Sequence, residues 1–375
     1  MGTFSDKTTL DINEQLKIIN EILLLNSKFL RNHSILSGKL GLVLNFFLYG
    51  TYSRDEQYLD FALDLLNDCI EYYGKDKLGL DDGISGLGRL ILLLGRQSVL
   101  EDYEAFLKII DDDFKDCIQR NPDYGSNFLN GNNGIWLYMI DRGSELFEFR
   151  IPEETYLREK IANTVYYFSR ANDSVFTYNK NPNENILLEL IAIIDLYHKS
   201  KLPSDCSKII HDFSTNVIKE ASEFIKIPKR KLLEKIANRK ATQDFIYGLF
   251  VCYNILYNKQ SDTNILIELF DKINDRQIIN VLINYSQAKL LFGDLGIGFL
   301  YYLLYVKHNM EAFNITSKNI IYSALDKSLK NQYFLNRNLG SDQFSIKSGL
   351  CGLAIVLLAI YSSEIPEWSK LLMIN

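Results

Sequence analysis

Cysteine is scarce and scattered in this chain. The five present, Cys69, Cys117, Cys206, Cys252 and Cys351, form no Cys-x-x-Cys pair and no regular framework, which argues against a disulfide-stapled fold or a cysteine-based zinc module. Each stands among apolar residues at helical spacing, as expected of buried thiols in a reducing compartment. The four histidines, His33, His198, His211 and His308, show no ligand spacing either. Positive charge is not in excess. The formal net charge is −6, and no Lys/Arg stripe offers the footprint of a nucleic-acid binder. The most basic run, "KIPKRKLLEKIANRK", reads as a helix with a solvated face. No apolar run reaches a bilayer span without a polar interruption. The start, "MGTFSDKTTLDINEQLK", has neither signal-peptide regions nor the Ser/Thr of a myristoylation site. These absences predict a cytoplasmic protein with no membrane insertion and no nucleic-acid partner. Strand signals are missing too: no period-two alternation lies between turn clusters. All six prolines (Pro122, Pro152, Pro182, Pro203, Pro228 and Pro366) fall between helical runs, where they mark starts and stops. Phosphate-loop, dinucleotide and aspartate-rich prenyl-diphosphate motifs are absent as well.

What the chain does have is apolar residues, 47% of the total, and a repeated way of starting a helix. "LSGKLGLVLNFFLYG" (36–50), "ISGLGRLILLLG" (84–95), "LNGNNGIWLYMIDRG" (129–143), "FGDLGIGFLYYLLY" (292–305) and "KSGLCGLAIVLLAIY" (347–361) share a pattern. Each carries a glycine, most have a second soon after, and an apolar helix follows. "IYGLFVCYNILY" (246–257) keeps one glycine, and "NILLELIAIIDLYH" (185–198) keeps only the apolar run. Seven units at intervals of roughly 45 to 60 residues signal a repeat architecture. Amphipathic helices lie between them, such as "DEQYLDFALDLLNDCIEYY", with Leu59, Ala62, Leu65, Leu66 and Cys69 on one stripe. A helix that is apolar all round must be buried on most sides. The expectation is therefore an all-α fold, an α/α toroid with an inner and an outer ring of seven helical hairpins, forming one domain over residues 1–375. The glycines would allow sharp turns at φ values other residues resist and close approach of inner helices. Helix N-termini converging at one mouth, with unsatisfied N–H groups, would form a cup for a peptide or an anion.

This pattern resembles the lanthionine cyclases and lanthionine synthetase C-like (LanC-like) proteins, over essentially the whole chain. The ending, "SIKSGLCGLAIVLLAIYSSEIPEWSKLLMIN", resembles the family's terminal repeat, with Pro366, Trp368, Leu371 and Leu372 at its Pro-x-Trp and leucine positions. The resemblance implies an active site in which two cysteines and a histidine hold zinc. They come from a Trp-Cys-Tyr-Gly motif in the fifth repeat and a Cys-His-Gly motif in the sixth. The zinc activates a peptide thiol that adds to a dehydrated Ser or Thr. In this chain the three ligand positions fall on Ile246, Leu291 and Phe292. In an alternative register they fall on Leu291, Lys347 and Ser348. Neither set can coordinate zinc, so no metal and no cofactor are expected. Three further family positions fall on Asn127, Ile186 and near Thr242, none with the family's residue.

Asp82, beside Asp81, and Asp294 remain as candidate acid/base carboxylates, although capping and dipole effects place Asp at helix starts equally well. Asp294 is expected to cap or flank its helix N-terminus at the cup. Tyr247 is the remaining catalytic candidate, or a core tyrosine with a satisfied hydroxyl. A peptide-binding cavity would be lined by Asn127, Asn130, Asn132, Tyr247, Phe292, Asp294 and Lys347. Three functions compete. The first is a metal-free LanC-like protein of a ribosomal-peptide (lanthipeptide-type) modification pathway that binds a precursor peptide or a partner modification enzyme. The second is a zinc-independent thioether cyclase. The third is an α/α-toroid carbohydrate-active enzyme using two cavity carboxylates.

Overall fold

The structure is a computed structural model describing residues 7–73, 77–120, 131, 133–143, 154–170, 174–176, 184–199, 202–257, 262–330, 341–362 and 366–372. Among the described residues there are seventeen α-helices and no β-strand. Seven form an inner ring: α2 (Lys39–Ser53), α4 (Ile84–Arg96), α6 (Asn133–Arg142), α8 (Glu184–His198), α11 (Arg239–Tyr257), α14 (Asp294–His308) and α16 (Leu350–Ser362). Outside them run α1 (Lys7–Asn26), α3 (Glu56–Tyr72), α5 (Tyr103–Arg120), α7 (Glu154–Arg170), α9 (Ser204–Ile225), the pair α12 (Thr263–Ile273) and α13 (Arg276–Tyr285), and α15 (Glu311–Lys330). Two short helices, α10 (Lys229–Lys235) and α17 (Trp368–Leu371), complete the set.

Hydrophobic patterning explains the division. Every residue of α16 from Leu350 to Ile360 is buried, as is every residue of α14 from Asp294 to Leu304. The outer helix α3 buries only Ala62, Leu65, Leu66 and Cys69, with Leu59 packed into the space left by the missing side chain of Gly50. The ring closes where α16 packs against α1 and α2. There the backbone N–H of Lys347 donates to the Leu36 carbonyl at 3.0 Å. Tyr302 on α14 donates its hydroxyl to the Ala359 carbonyl of α16 at 2.7 Å, and the Trp368 ring stacks on Phe299 at 5.0 Å.

Four inner helices, α2, α4, α14 and α16, are entered through the same three-residue turn and bend. The glycine of the bend, where it precedes α2, α4 and α14, is extended (φ −140, −143 and −132). Any residue adopts such backbone, so an unusual φ is not what selects glycine here. Close approach is. A Cβ on Gly293 would lie 2.4 Å from the Gln287 carbonyl oxygen, and one on Gly296 2.1 Å from that of Leu290. Gly41, Gly86 and Gly352 meet equivalent carbonyls, from the residue six before each. The turn thus folds back over the first helical turn and feeds it carbonyls. At α14 the N–H of Asp294 donates to Gln287 O (3.1 Å), that of Gly296 to Lys289 O (3.1 Å) and that of Ile297 to Gly293 O (3.0 Å). The N–H of Leu295 donates to the Asp294 carboxylate at 2.8 Å. The expected cup of open helix N–H groups is therefore not formed at α14, because the preceding turn and Asp294 already satisfy them.

Candidate functional site

The inner-helix N-termini meet at one end of the ring, and the side chains gathered there come from four different repeats. Glu184 is the first residue of α8, Tyr247 lies on α11, and Lys289 and Lys347 sit in the turns before α14 and α16. Lys347 Nζ lies 2.7 Å from Glu184 Oε2. Lys289 Nζ stands 3.7 Å from Oε1, and the Tyr247 hydroxyl donates to Oε1 at 3.4 Å. Burial pushes the Glu184 carboxyl up, but the hydrogen bond and charge of Lys347, with the charge of Lys289, outweigh it and hold the group below its ordinary range. Burial, reinforced by the Glu184 charge, pushes the Tyr247 phenol well up, so it stays protonated and donating. A cavity of about 540 Å³ opens over this cluster, with Arg239, Lys240, Gln243 and Asp244 on its walls. An adjoining one of about 410 Å³ shares Arg239, Gln287 and Lys289 and extends to Lys327 and Gln343.

The three expected metal positions form part of the packed floor. Ile246, Leu291 and Phe292 are each at most 1% exposed. Counting inner helices, α11 is fifth and α14 sixth. Aliphatic and aromatic carbons offer no donor to zinc, so these three residues do not fit the ion that the sequence resemblance implies. Among the described residues, no group of three or more His, Cys, Asp or Glu side chains gathers as a metal site. Phe292 instead packs edge-on against Tyr247 (5.4 Å) and Phe250 (5.0 Å). Its backbone is left-handed, with φ 62, and its carbonyl accepts from Gln243 Nε2 at 2.7 Å.

Asp294 is fully buried at the base of α14, where its carboxylate pairs with Lys327 of the outer helix α15 at 2.6 Å. Gly293 holds the N-cap position and Asp294 is the first helical residue, so its carboxylate flanks the terminus rather than capping it. Burial raises its pKa, with Lys327 acting in the opposite direction. Asp81 and Asp82 diverge. Asp81 is turned inward, accepting from the Leu36 N–H at 2.8 Å, whereas Asp82 is partly exposed, 4.0 Å from Lys77. Asn127, Asn130 and Asn132 lie outside the described residues. Thr242 is buried and donates to the Ile236 carbonyl at 2.8 Å. Tyr247, Phe292 and Lys347 thus come together at the mouth, while Asp294 sits behind its wall. Glu184, Lys289, Gln243 and Asp244 escaped sequence reasoning. The signal for Glu184 was an acid opening an apolar helix, which is also what helix-dipole preference produces.

A second cavity, of about 840 Å³, lies at the opposite end, against the C-termini of α4, α6, α8 and α11. Its charges are paired across it. Arg89 Nε donates to Asp141 at 2.7 Å and its NH2 to the Lys370 carbonyl at 3.0 Å. Lys199 bridges Asp141 (3.1 Å) and Asp195 (2.8 Å). Cations at these ends complement the helix dipoles and tie α17 down.

No family model matches this chain, and no curated protein matches it in sequence. Among solved structures it is similar to one titled nisin cyclase, with a TM-score of 0.54 and 13% identity, spanning 97% of this chain and 98% of that one. At that identity the likeness is one of fold: the chain has the LanC-like helical toroid. No helix among the described residues is long and apolar enough to cross a membrane.

Proposed function

We propose that this chain is a LanC-like protein of a lanthipeptide-type modification pathway that binds a precursor peptide at the Glu184–Lys289–Lys347 mouth without using zinc. The observation that carries this reading is the contrast within one site. A polar cavity opens at the mouth, while Ile246, Leu291 and Phe292, the positions that the resemblance assigns to the ligands, are buried and carry no donor. In this reading a partner enzyme supplies the dehydration chemistry, and the toroid presents or holds the peptide. A zinc-independent thioether cyclase is the second reading, favoured by the ammonium groups of Lys289 and Lys347 at the place where a thiolate would form. Among the described residues Asp294 and Asp82 do not make the facing carboxylate pair a carbohydrate-active enzyme would use, since Asp294 is buried against Lys327 and Asp82 lies in the partly exposed turn before α4, near Lys77.

The test uses a dehydrated, cysteine-containing peptide with a fluorescent label. Saturable binding with the free thiol retained supports the first reading. Loss of thiol in step with a thioether product supports the second. Absence of binding refutes both. The purified protein should also lack stoichiometric zinc by elemental analysis, and one tightly held zinc per chain would overturn the zinc-free reading.

A further inference from the structure

We infer that the mouth recognises a carboxylate of its peptide, an acidic side chain or the C-terminal carboxyl group, through Lys289, Lys347 and Arg239. This rests on the peptide-binding reading above and adds the charge of the segment that is bound. Three observations lead to it. The walls of the two adjoining cavities carry Arg239, Lys240, Lys289 and Lys327, the last neutralised by Asp294 behind the wall, against the carboxylates of Glu184 and Asp244. Lys347 adds a further cation where it meets Glu184. The chain as a whole has a net charge of −6, so the sign is reversed locally, in a concave site whose low-dielectric walls focus the field.

The second observation concerns where the donors are. At α14 the helix N–H groups are consumed by the turn that precedes them, so that helix start offers an anion no open backbone donor and the lysine and arginine side chains carry the recognition. Lys289 supplies some. At 3.7 Å it stands beyond hydrogen-bond distance from Glu184, so its ammonium donors are not committed there. Arg239, exposed at the rim, offers a planar fork that matches a carboxylate.

The third observation is the shape of the site. The cavities, about 540 and 410 Å³, adjoin through Arg239, Gln287 and Lys289 and are of a size to admit an extended peptide segment.

The experiment compares four labelled peptides of one dehydrated sequence by fluorescence anisotropy. They carry Glu or Gln beside the cysteine, and a free or amidated C-terminus. At least one neutralisation should weaken binding about tenfold, and added salt should erase the difference. Loss through Gln identifies a side-chain carboxylate, and loss through amidation identifies the C-terminus. Lys347→Gln and Arg239→Gln should each shrink the difference between charged and neutral peptides. Arg239 is exposed, so its variant keeps the test intact if Lys347→Gln perturbs folding, which circular dichroism reports. Equal affinity for all four peptides overturns this inference and leaves the peptide-binding reading standing. No binding by any of them overturns both.

Discussion

Lys327 and Asp294 form an unequal pair, and that inequality predicts which partner can be removed. The Asp294 side chain is 0% exposed and that of Lys327 is 29% exposed, at 2.6 Å. Lys327→Met leaves a carboxylate in the core without its counter-charge, held by the neutral donors of Leu295 and Ser286. Stranding a buried charge in this way costs about 3–5 kcal/mol. Asp294→Asn leaves Lys327 partly in water and still donating to the Ile283 carbonyl, and should cost only about 1–2 kcal/mol, the loss of one charge-assisted hydrogen bond. An unfolding entropy near 2.1 cal/mol/K per residue makes each kcal/mol worth about 1.3 °C in a 375-residue chain that unfolds cooperatively. The melting temperature should therefore fall by about 5 °C for Lys327→Met and about 2 °C for Asp294→Asn at pH 7. The pH dependence carries its own sign. Burial raises the Asp294 pKa from 3.8, so this group's contribution to stability is full below the unfolded value and is lost as pH rises through the folded one. Removing Lys327 raises the folded value further. The Lys327→Met deficit should then shrink on acidification, while that of Asp294→Asn should grow, because the parent alone gains from protonating the buried carboxyl. Thermal melts at several pH values decide the matter: a Lys327→Met protein no less stable than Asp294→Asn would refute the assignment of Asp294 as a buried, paired carboxylate.

Gly296→Val should destabilise by about 1–3 kcal/mol through overpacking, because the new Cβ would meet the Leu290 carbonyl at 2.1 Å and Phe250 Cζ at 2.6 Å; an unchanged melting temperature would contradict the close approach at this helix entry. Phe292→Ala and Phe292→Gly both lose the ring packed on Tyr247 and Phe250, but glycine accepts φ 62 freely. The Gly variant should therefore melt above the Ala variant by about 1 kcal/mol, and the reverse order would show that the backbone there is not left-handed.

The fold was legible because its signal is repeated. Seven apolar runs, five of them with glycines at their starts, call for a ring that buries them together, and the last of them is followed by the Pro366–Trp368 ending whose indole stacks on Phe299. The reason for the glycines was not legible. A sequence shows glycine without showing whether φ or space demands it, and at Gly293 and Gly296 it is space. The site was legible in part. Tyr247 and Lys347 stood out beside the ligand positions, whereas Glu184 opens the one inner run that has lost its glycines, so nothing marked its end of the ring. Lys289 belongs to a turn whose direction depends on the carbonyls it feeds into α14. Asp294 looked like a cap because aspartate before an apolar helix usually is one. Its partner lies 33 residues away on α15, and no local pattern reveals that.

Glu184 decides what the mouth is suited to do. An ammonium about 4 Å from a thiol sulfur, at an effective dielectric near 20, would favour the thiolate by about 4 kcal/mol, enough to activate it at neutral pH. Lys347, however, lies 2.7 Å from the Glu184 carboxylate, and a thiolate approaching the pair meets the opposed charge at nearly the same distance. The pair therefore favours holding a peptide over activating its sulfur. It follows that Glu184 competes with the ligand. Glu184→Gln keeps the shape of the side chain and its capacity to accept from Tyr247, but frees Lys347 and takes away the charge facing Lys289. An anionic peptide should then bind more tightly, by about tenfold if one charge-assisted contact is gained. Removing the carboxylate also removes a contribution to stability. The folded-state pKa of Glu184 is held below 4.5, so that contribution is present above the unfolded value and disappears as pH falls through the folded one. The variant should be less stable than the parent at pH 7, with the two converging in acid. Anisotropy titrations and melts on the same protein separate these effects. Weaker binding of an acidic peptide by a folded Glu184→Gln protein would show that Glu184 itself contacts the ligand, and would make the carboxylate rather than the lysines the recognition group.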